Sequence, residues 1–419
     1  GNPVVFATAS DTVCSVHGTT VTMLAAGICA ITAHQAGAAD YEAAAEVTLV
    51  VEIGKASPEL SWTGDLSKTY GEADFELPLP TSDSPGTFTF TGSNPQVATV
   101  SGRTVTITGA GTATLTATQA ATANFAAASM SLVLSVENRP DPTRDAAVAA
   151  TLQAQVDASV RFAQVQQDNI RSRLGQLRQG QQSASHAVTL NMRGGEGQPG
   201  LSLGAADVAG VVPTLPHGWG FWSAGSVILG ERDADGARQG FDFRSDGLSV
   251  GIDRLLGTHG VVGAAGGLGW NDTDLQDGRS TLDAQHRSLA LYGLWRSGSL
   301  FVDGILGMGR LEFDIRRWNS VSGGTATAQR DGDQSFGSLT LGYDLQGHNR
   351  TLTGYGRLDA SRTQLDAYRE DGLGIHDLAY GAQDVESSTA AAGLEGRYTV
   401  RTDTAVIRPY WTLEWRQSL

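Results

Sequence analysis

In the second half of the chain, apolar and polar positions alternate with a period of two. Leu248, Val250 and Ile252 alternate with Ser249, Gly251 and Asp253, and Leu339, Leu341 and Tyr343 with Ser338, Thr340 and Asp344. Leu352, Leu358 and Ala360 oppose Tyr355, Arg357, Asp359 and Ser361; Leu394, Tyr398 and Val400 oppose Glu395, Arg397 and Thr399. Near the C-terminus Ile407, Pro409, Trp411, Leu413 and Trp415 oppose Arg408, Tyr410, Thr412, Glu414 and Arg416. Successive side chains of a strand point to opposite faces, so this pattern predicts two-faced strands, about nine of them from Gly218 onward. The run from Leu300 changes phase near Gly309, which requires a bulge there or an exit from the apolar layer.

The connections predict how the strands are joined. Those at Gly257, Gly298, Gly347 and Asp403 read as short; those around Asp235, Asp277, Gly323 and Asp371 read as long and polar. Strict alternation of short and long implies an up-and-down meander with its tight turns at one end, the asymmetry of an outer-membrane barrel. Seven of the eight tryptophans lie in this region. They fit an interfacial girdle, and equally the core of a soluble β protein.

The pattern changes at "ENRPDPTRD". Asp141 can cap a helix, Pro142 suits its first turn, and Val148, Leu152, Val156, Ala163, Ile170, Leu174 and Leu177 recur at helical spacing. The opposite face carries Gln153, Gln155, Gln164, Gln166, Gln167 and Asn169. Amides suit a wet barrel lumen because they bond to wall or water without a matched ion pair, and a plain linker or coiled-coil stalk would read the same way. Residues 181–216 read as a loop-rich connection with room for one short strand.

The first third contains an internal repeat. Val16–Ala45 aligns without a gap on Val100–Ser129 at a constant offset, and both copies read as all-β. Cys14 and Cys29 are the chain's two cysteines, and the second copy has Ala98 and Ala113 in their places. Their joint absence favours a disulfide formed in an oxidising compartment; two buried free thiols are the alternative.

Composition narrows the classes. A net charge of −15 without a basic cluster argues against a nucleic-acid partner. No apolar run is long enough for a membrane-spanning helix, which leaves a barrel open, since its strands alternate. The 53 glycines suit crowded, twisted sheet. The histidines lack ligand spacing, the acidic loops at Asp233 and Asn271 lack a full calcium pattern, and neither a nucleophile elbow nor a P-loop is present. No catalytic residue, metal or cofactor is expected.

Two resemblances organise the rest. The run "GAGTATLTATQA" at Gly109–Ala120 resembles bacterial immunoglobulin-like repeats. The pieces "GFWSAGSVILG" at Gly220, "GLSVGIDR" at Gly247, "LALYGLWRSGSLFVDGILGMGRLEF" at Leu289 and "IRPYWTLEWR" at Ile407 resemble the translocator β-domain of autotransporters, the type V secretion proteins. The implied architecture is mainly β: immunoglobulin-like sandwich repeats, a connecting α-helix, and an incomplete antiparallel up-and-down transmembrane β-barrel with nine of an expected twelve strands. Its parts are a partial repeat at 1–53, a repeat at 54–137, a linker or pore helix at 138–180, the connection at 181–216 and a C-terminally truncated barrel domain at 217–419. An open nine-stranded sheet leaves unpaired backbone groups in lipid, so three further strands are expected after the last one and this piece alone is not expected to insert stably.

The resemblance implies an outer-membrane anchor that helps export a passenger stalk of repeats, with adhesion the expected passenger role. Implied partners are outer-membrane lipid, the barrel-assembly machinery, periplasmic chaperones and an unidentified host or cell-surface ligand. Val250, Leu341, Leu358, Trp411 and Trp415 are then expected to face lipid. Arg357, Asp359, Glu395, Arg397, Arg408 and Glu414 are expected to face the lumen and fix the helix there. Some members of the family cut off their passenger at an Asn pair in the pore helix; here Asp168 precedes Asn169, so that activity is not expected. The competing reading is a soluble extracellular multidomain β protein that binds or hydrolyses glycans, with its sheets packed face to face.

Overall fold

The computed structural model describes residues 2–178, 186–194, 200–206, 216–235, 238–347, 349–401 and 406–419. The chain forms two compact units that meet in sequence at Pro140 and Asp141.

In the N-terminal unit, residues 54–137 make a two-layered β structure. Phe88–Gly92, Gly111–Gln119, Ala128–Glu137 and Leu66–Thr69 form one sheet; Ala98–Ser101, Thr104–Ile107 and Phe75–Glu76 form another. Trp62, Leu77, Val105, Leu115 and Leu134 are buried among them. The repeat is exact at the level of strands: Cys14–His17, Thr20–Met23 and Gly27–Gln35 recur as Ala98–Ser101, Thr104–Ile107 and Gly111–Gln119. Even the hairpin turns match, with Gly18 and Gly102 both in the left-handed region at φ 59° and 61°. Cys14 and Cys29 are joined by a disulfide, their Cα atoms 5.8 Å apart, in a small cluster with Ile31. Ala98 and Ala113 fill the equivalent space in the second copy without a bond.

In the C-terminal unit, Asp141 caps only a short 3-10 turn, Pro142–Arg144. The long helix, α1 (Ala146–Arg178), is capped by Asp145, whose carboxylate accepts from the N–H groups of Ala147 and Val148. Sequence pattern placed the cap four residues early because Asp-Pro and Asp-Ala starts look alike.

Eleven strands form one curled sheet. We number them β1 (His186–Arg193), β2 (Gly200–Ala206), β3 (Trp219–Arg232), β4 (Phe241–Leu256), β5 (Gly260–Leu275), β6 (Thr281–Ser297), β7 (Leu300–Asn319), β8 (Gly324–Gln346), β9 (Arg350–Leu365), β10 (Gln383–Tyr398) and β11 (Tyr410–Ser418). From β3 to β11 each strand pairs antiparallel with the next, which is the nine-strand meander expected. The connection at 181–216 departs from expectation: its described residues contribute two strands, with β1 parallel to β3 and β2 antiparallel to β1 at the sheet edge.

Several of the strands run far beyond the roughly ten residues that cross a bilayer; β7 has 20 and β8 has 23. Two connections read as long are therefore tight turns at the tips of long strands, at 276–280 and 320–323, with Gly278 and Gly323 at positive φ. Among the described residues 366–382 remains a long connection at that end, and the one around Asp235 runs partly outside the described residues. The turn at Asp403 lies outside the described residues.

The run at Leu300 has no bulge: its pairing with β6 and β8 is continuous. Its outward residues are Leu306 and Met308, then Arg310, Glu312 and Asp314, while Leu311, Phe313 and Ile315 are buried inward. The strand keeps its phase and leaves the apolar layer. Outward apolar residues on β7 run from Leu300 to Met308, about 21 Å along the axis for a strand tilted by about 40°. That matches a bilayer's apolar band, with a charged belt beyond it.

Candidate functional site: the interior around the helix

Helix α1 lies against the concave face of the sheet, touching β1 and each strand from β3 to β10 closely enough to form a shared interior. Twenty of its 33 residues are buried, on all sides and not along one stripe. A helix with so little apolar bias is stable only where its polar groups find partners, and the wall supplies them.

At the tight-turn end, Arg173 and Asp253 form a bidentate pair, Nε–Oδ2 2.7 Å and Nη2–Oδ1 2.9 Å, both side chains almost fully buried. Tyr292 donates its hydroxyl to the same carboxylate at 2.9 Å and accepts from Trp222 Nε1 at 2.6 Å. Glycine makes this possible: a Cβ at Gly220 would come within 2.4 Å of Arg173 Nη2, and one at Gly251 within 2.5 Å of the Trp222 ring. Trp222 therefore belongs to the interior and not to a girdle.

Midway, Asn169 is fully buried and uses both ends of its amide. Its Nδ2 donates to Ser249 Oγ at 2.8 Å, and its Oδ1 accepts from Ser226 Oγ and Asn191 Nδ2. Gln166 Oε1 accepts from Ser249 at 2.7 Å, and Gln167 donates to the Gly337 carbonyl at 3.0 Å. Nearer the loop end, Arg161 donates to Ser245 and Asn271 and stacks 3.8 Å above the Phe243 ring.

The interior is not uniformly wet. Ala150, Ala154, Ala158 and Phe162 pack against Phe241, Leu275, Leu282, Leu311 and Phe313, and Ile170, Leu174 and Leu177 pack in a second cluster with Trp222 and Phe301. The loop-end half of the interior is a greasy collar around an alanine-lined helix face.

The residues expected inside fall into two groups. Arg357 pairs with Glu414 at 2.7 and 2.9 Å and with Asp359 at 2.7 Å; Asp359 in turn bonds Arg171 of the helix at 2.9 Å. Glu395 pairs with Arg397 and lies 3.7 Å from Arg178, while Arg397 reaches the Gly175 carbonyl. Arg408 joins neither: it is exposed and precedes the paired residues of β11, where alternation no longer fixes its side. The buried ion pair of Arg173 with Asp253 was not singled out from sequence, whereas Asn169 was read among the amides suited to bond the wall, without its partners. Asp253 was visible only as an inward position, and its partner lies 80 residues away.

Outside, Val250, Leu341, Leu358, Trp411 and Trp415 are 44 to 63% exposed. No second layer among the unit's described residues covers them, so the face-to-face packing of a soluble sandwich is not what these strands do there. Among the described residues no helix is long and apolar enough to cross a membrane.

Residues 221–419 match the family model of the autotransporter β-domain. Among solved structures, the chain is similar to the translocator domain of the autotransporter NalP from Neisseria meningitidis, at 19% identity over 48% of this chain and 70% of that one, TM-score 0.40. It is also similar to the β domain of the Bordetella autotransporter BrkA, at 19% identity over 48% and 80% of the two chains, TM-score 0.37. No curated protein matches it.

Proposed function

With residues 221–419 matching the autotransporter β-domain family, we propose that the chain is an outer-membrane translocator whose curled sheet anchors and helps export an N-terminal stalk of immunoglobulin-like repeats. The observation that carries this reading is the helix held within a sheet whose outer face is apolar and uncovered. Hydrocarbon satisfies such an outer face, whereas water alone does not.

The steps are physical. The alternating outer residues hold the wall in lipid, the backbone ladder leaves few polar groups facing it, and the inner polar residues let an unfolded chain pass without trapping it in apolar contact. When export ends, α1 occupies the interior. Its N-terminal end sits at the loop mouth, where Gln239 donates to the Ala146 carbonyl, and its C-terminal end sits among the tight turns, where Arg296 donates to the Arg178 carbonyl. The segment before Ala146 thus leaves by the mouth with the extended loops. Arg357, Asp359, Glu395, Arg397 and Glu414 act as the wall's charged contacts with the helix, and the repeats serve adhesion at the cell surface. The Cys14–Cys29 bond suits an oxidising route through the periplasm.

The test is cell fractionation with protease shaving. Residues 221–419 should sediment with outer membrane, and the repeats on intact cells should be cut by added protease. Recovery of both units in the soluble periplasm would overturn the reading.

A further inference from the structure

We infer that the connection between β9 and β10, residues 366–382, is a latch that folds into the mouth and clamps the N-terminal half of α1. The inference rests on the translocator reading for its purpose, but its geometry stands by itself. At its root, Arg317 of β7 and Glu370 of the loop form a bidentate pair at 2.7 and 2.5 Å, with side chains 0% and 1% exposed. Glu370 also accepts from the Leu378 N–H and from the Tyr380 hydroxyl, both at 3.1 Å, so one carboxylate ties together both arms of the loop.

The loop has its own order. Tyr368 and Tyr380 stack with centroids 4.4 Å apart, and Thr327 of β8 exchanges two 2.9 Å backbone bonds with Asp371. Two contacts then reach the helix. Gln155 donates to the Tyr368 hydroxyl at 3.3 Å while its Oε1 accepts from Arg330 at 2.7 Å, and Arg330 also donates to the Asp366 and Gly381 carbonyls of the loop. Arg317 Nη1 lies 3.8 Å from Asp145, the helix cap. Burying a full ion pair and a tyrosine stack in a connection that needs neither for strand pairing makes sense if the loop has two positions, inward on the helix and outward while a chain passes.

The test is hydrogen exchange on the protein refolded in detergent micelles, which cover the apolar outer face without requiring a closed sheet. Glu370→Ala leaves Arg317 unpaired in the inward position and so favours release. Amides of residues 147–158 should then exchange faster by at least about tenfold, while those of 166–178 keep their rates. Adding Thr327→Cys and Asp371→Cys supplies a pin, since hydrogen-bonded antiparallel partners have Cα atoms about 5.5 Å apart, within disulfide range. Oxidation of that triple variant should restore slow exchange and reductant should undo it. If Glu370→Ala does not refold, replacing 369–379 by a short Gly-Ser turn should give the same faster exchange at 147–158. Unchanged exchange in a variant whose loop is cut by protease, or a formed pin that restores nothing, overturns the latch. Failure of the repeats to reach the cell surface in the wild type would instead count against the translocator reading and leave these rates unaffected.

Discussion

The pair Arg173–Asp253 allows the hold of the wall on the helix to be measured. Asp253 accepts two bonds from Arg173 and one from Tyr292, and both charged side chains are under 5% exposed. Asp253→Ala strands a buried guanidinium and Arg173→Met strands a buried carboxylate; each should cost about 3–5 kcal/mol. Because each single change destroys the same interaction, the double variant should cost far less than the sum. Similar apolar volume in place of a buried pair ranges from neutral to mildly stabilising, so a coupling of at least about 2 kcal/mol is expected. Guanidinium unfolding of micelle-refolded protein gives the four midpoints, with slopes compared to confirm that the unfolding event is unchanged. Additive single effects, or singles costing under about 1 kcal/mol, would refute the claim that this pair fastens α1.

Three further outcomes follow from the geometry. Leu358→Arg, outward on β9, should destabilise the protein by about 2–4 kcal/mol if it lies near the middle of the apolar belt, whereas the same change at Arg310's level in the charged belt should cost little; urea unfolding in lipid–detergent micelles reads both. Replacing Cys14 and Cys29 by alanine should remove about 3 kcal/mol from the first repeat by chain entropy alone and leave the Trp62 cluster's melting unchanged, as followed by protease susceptibility. Gly251→Val should displace the Trp222 ring and weaken its bond to Tyr292, shifting Trp fluorescence to the red and lowering the unfolding midpoint.

The phase of the strands was readable because lipid and lumen make opposite demands on alternate residues. Val250 and Ser249, or Leu341 and Thr340, could not exchange places. The strand ends were not readable, since beyond the apolar belt the demands reverse without a change of phase. Asp272, Asp283 and Asp314 point out into water while Leu311 and Phe313 point in, so "NDTDLQDG" resembles a loop although most of it is strand. The disulfide was legible because the repeat supplied its own control at Ala98 and Ala113. The pairing of β1 with β3 was not, because an alternating segment gives no sign of whether its neighbour runs parallel or antiparallel. Nor could sequence pair Arg173 with Asp253, which depends on where a helix stops inside a wall built 80 residues later, or Arg317 with Glu370, which depends on how a connection folds back onto a strand 53 residues before it.

The most direct measurement sets lipid against water along two adjacent faces. Single cysteines at 250, 341 and 358, and at 249, 340 and 359, each carrying a fluorescent label, can be challenged in lipid–detergent micelles with quenchers attached to acyl chains. Strong quenching at 250, 341 and 358 with little at 249, 340 and 359 is the result predicted here. Equal quenching at all six, or none at Val250, Leu341 and Leu358, would mean that the apolar face meets something other than hydrocarbon.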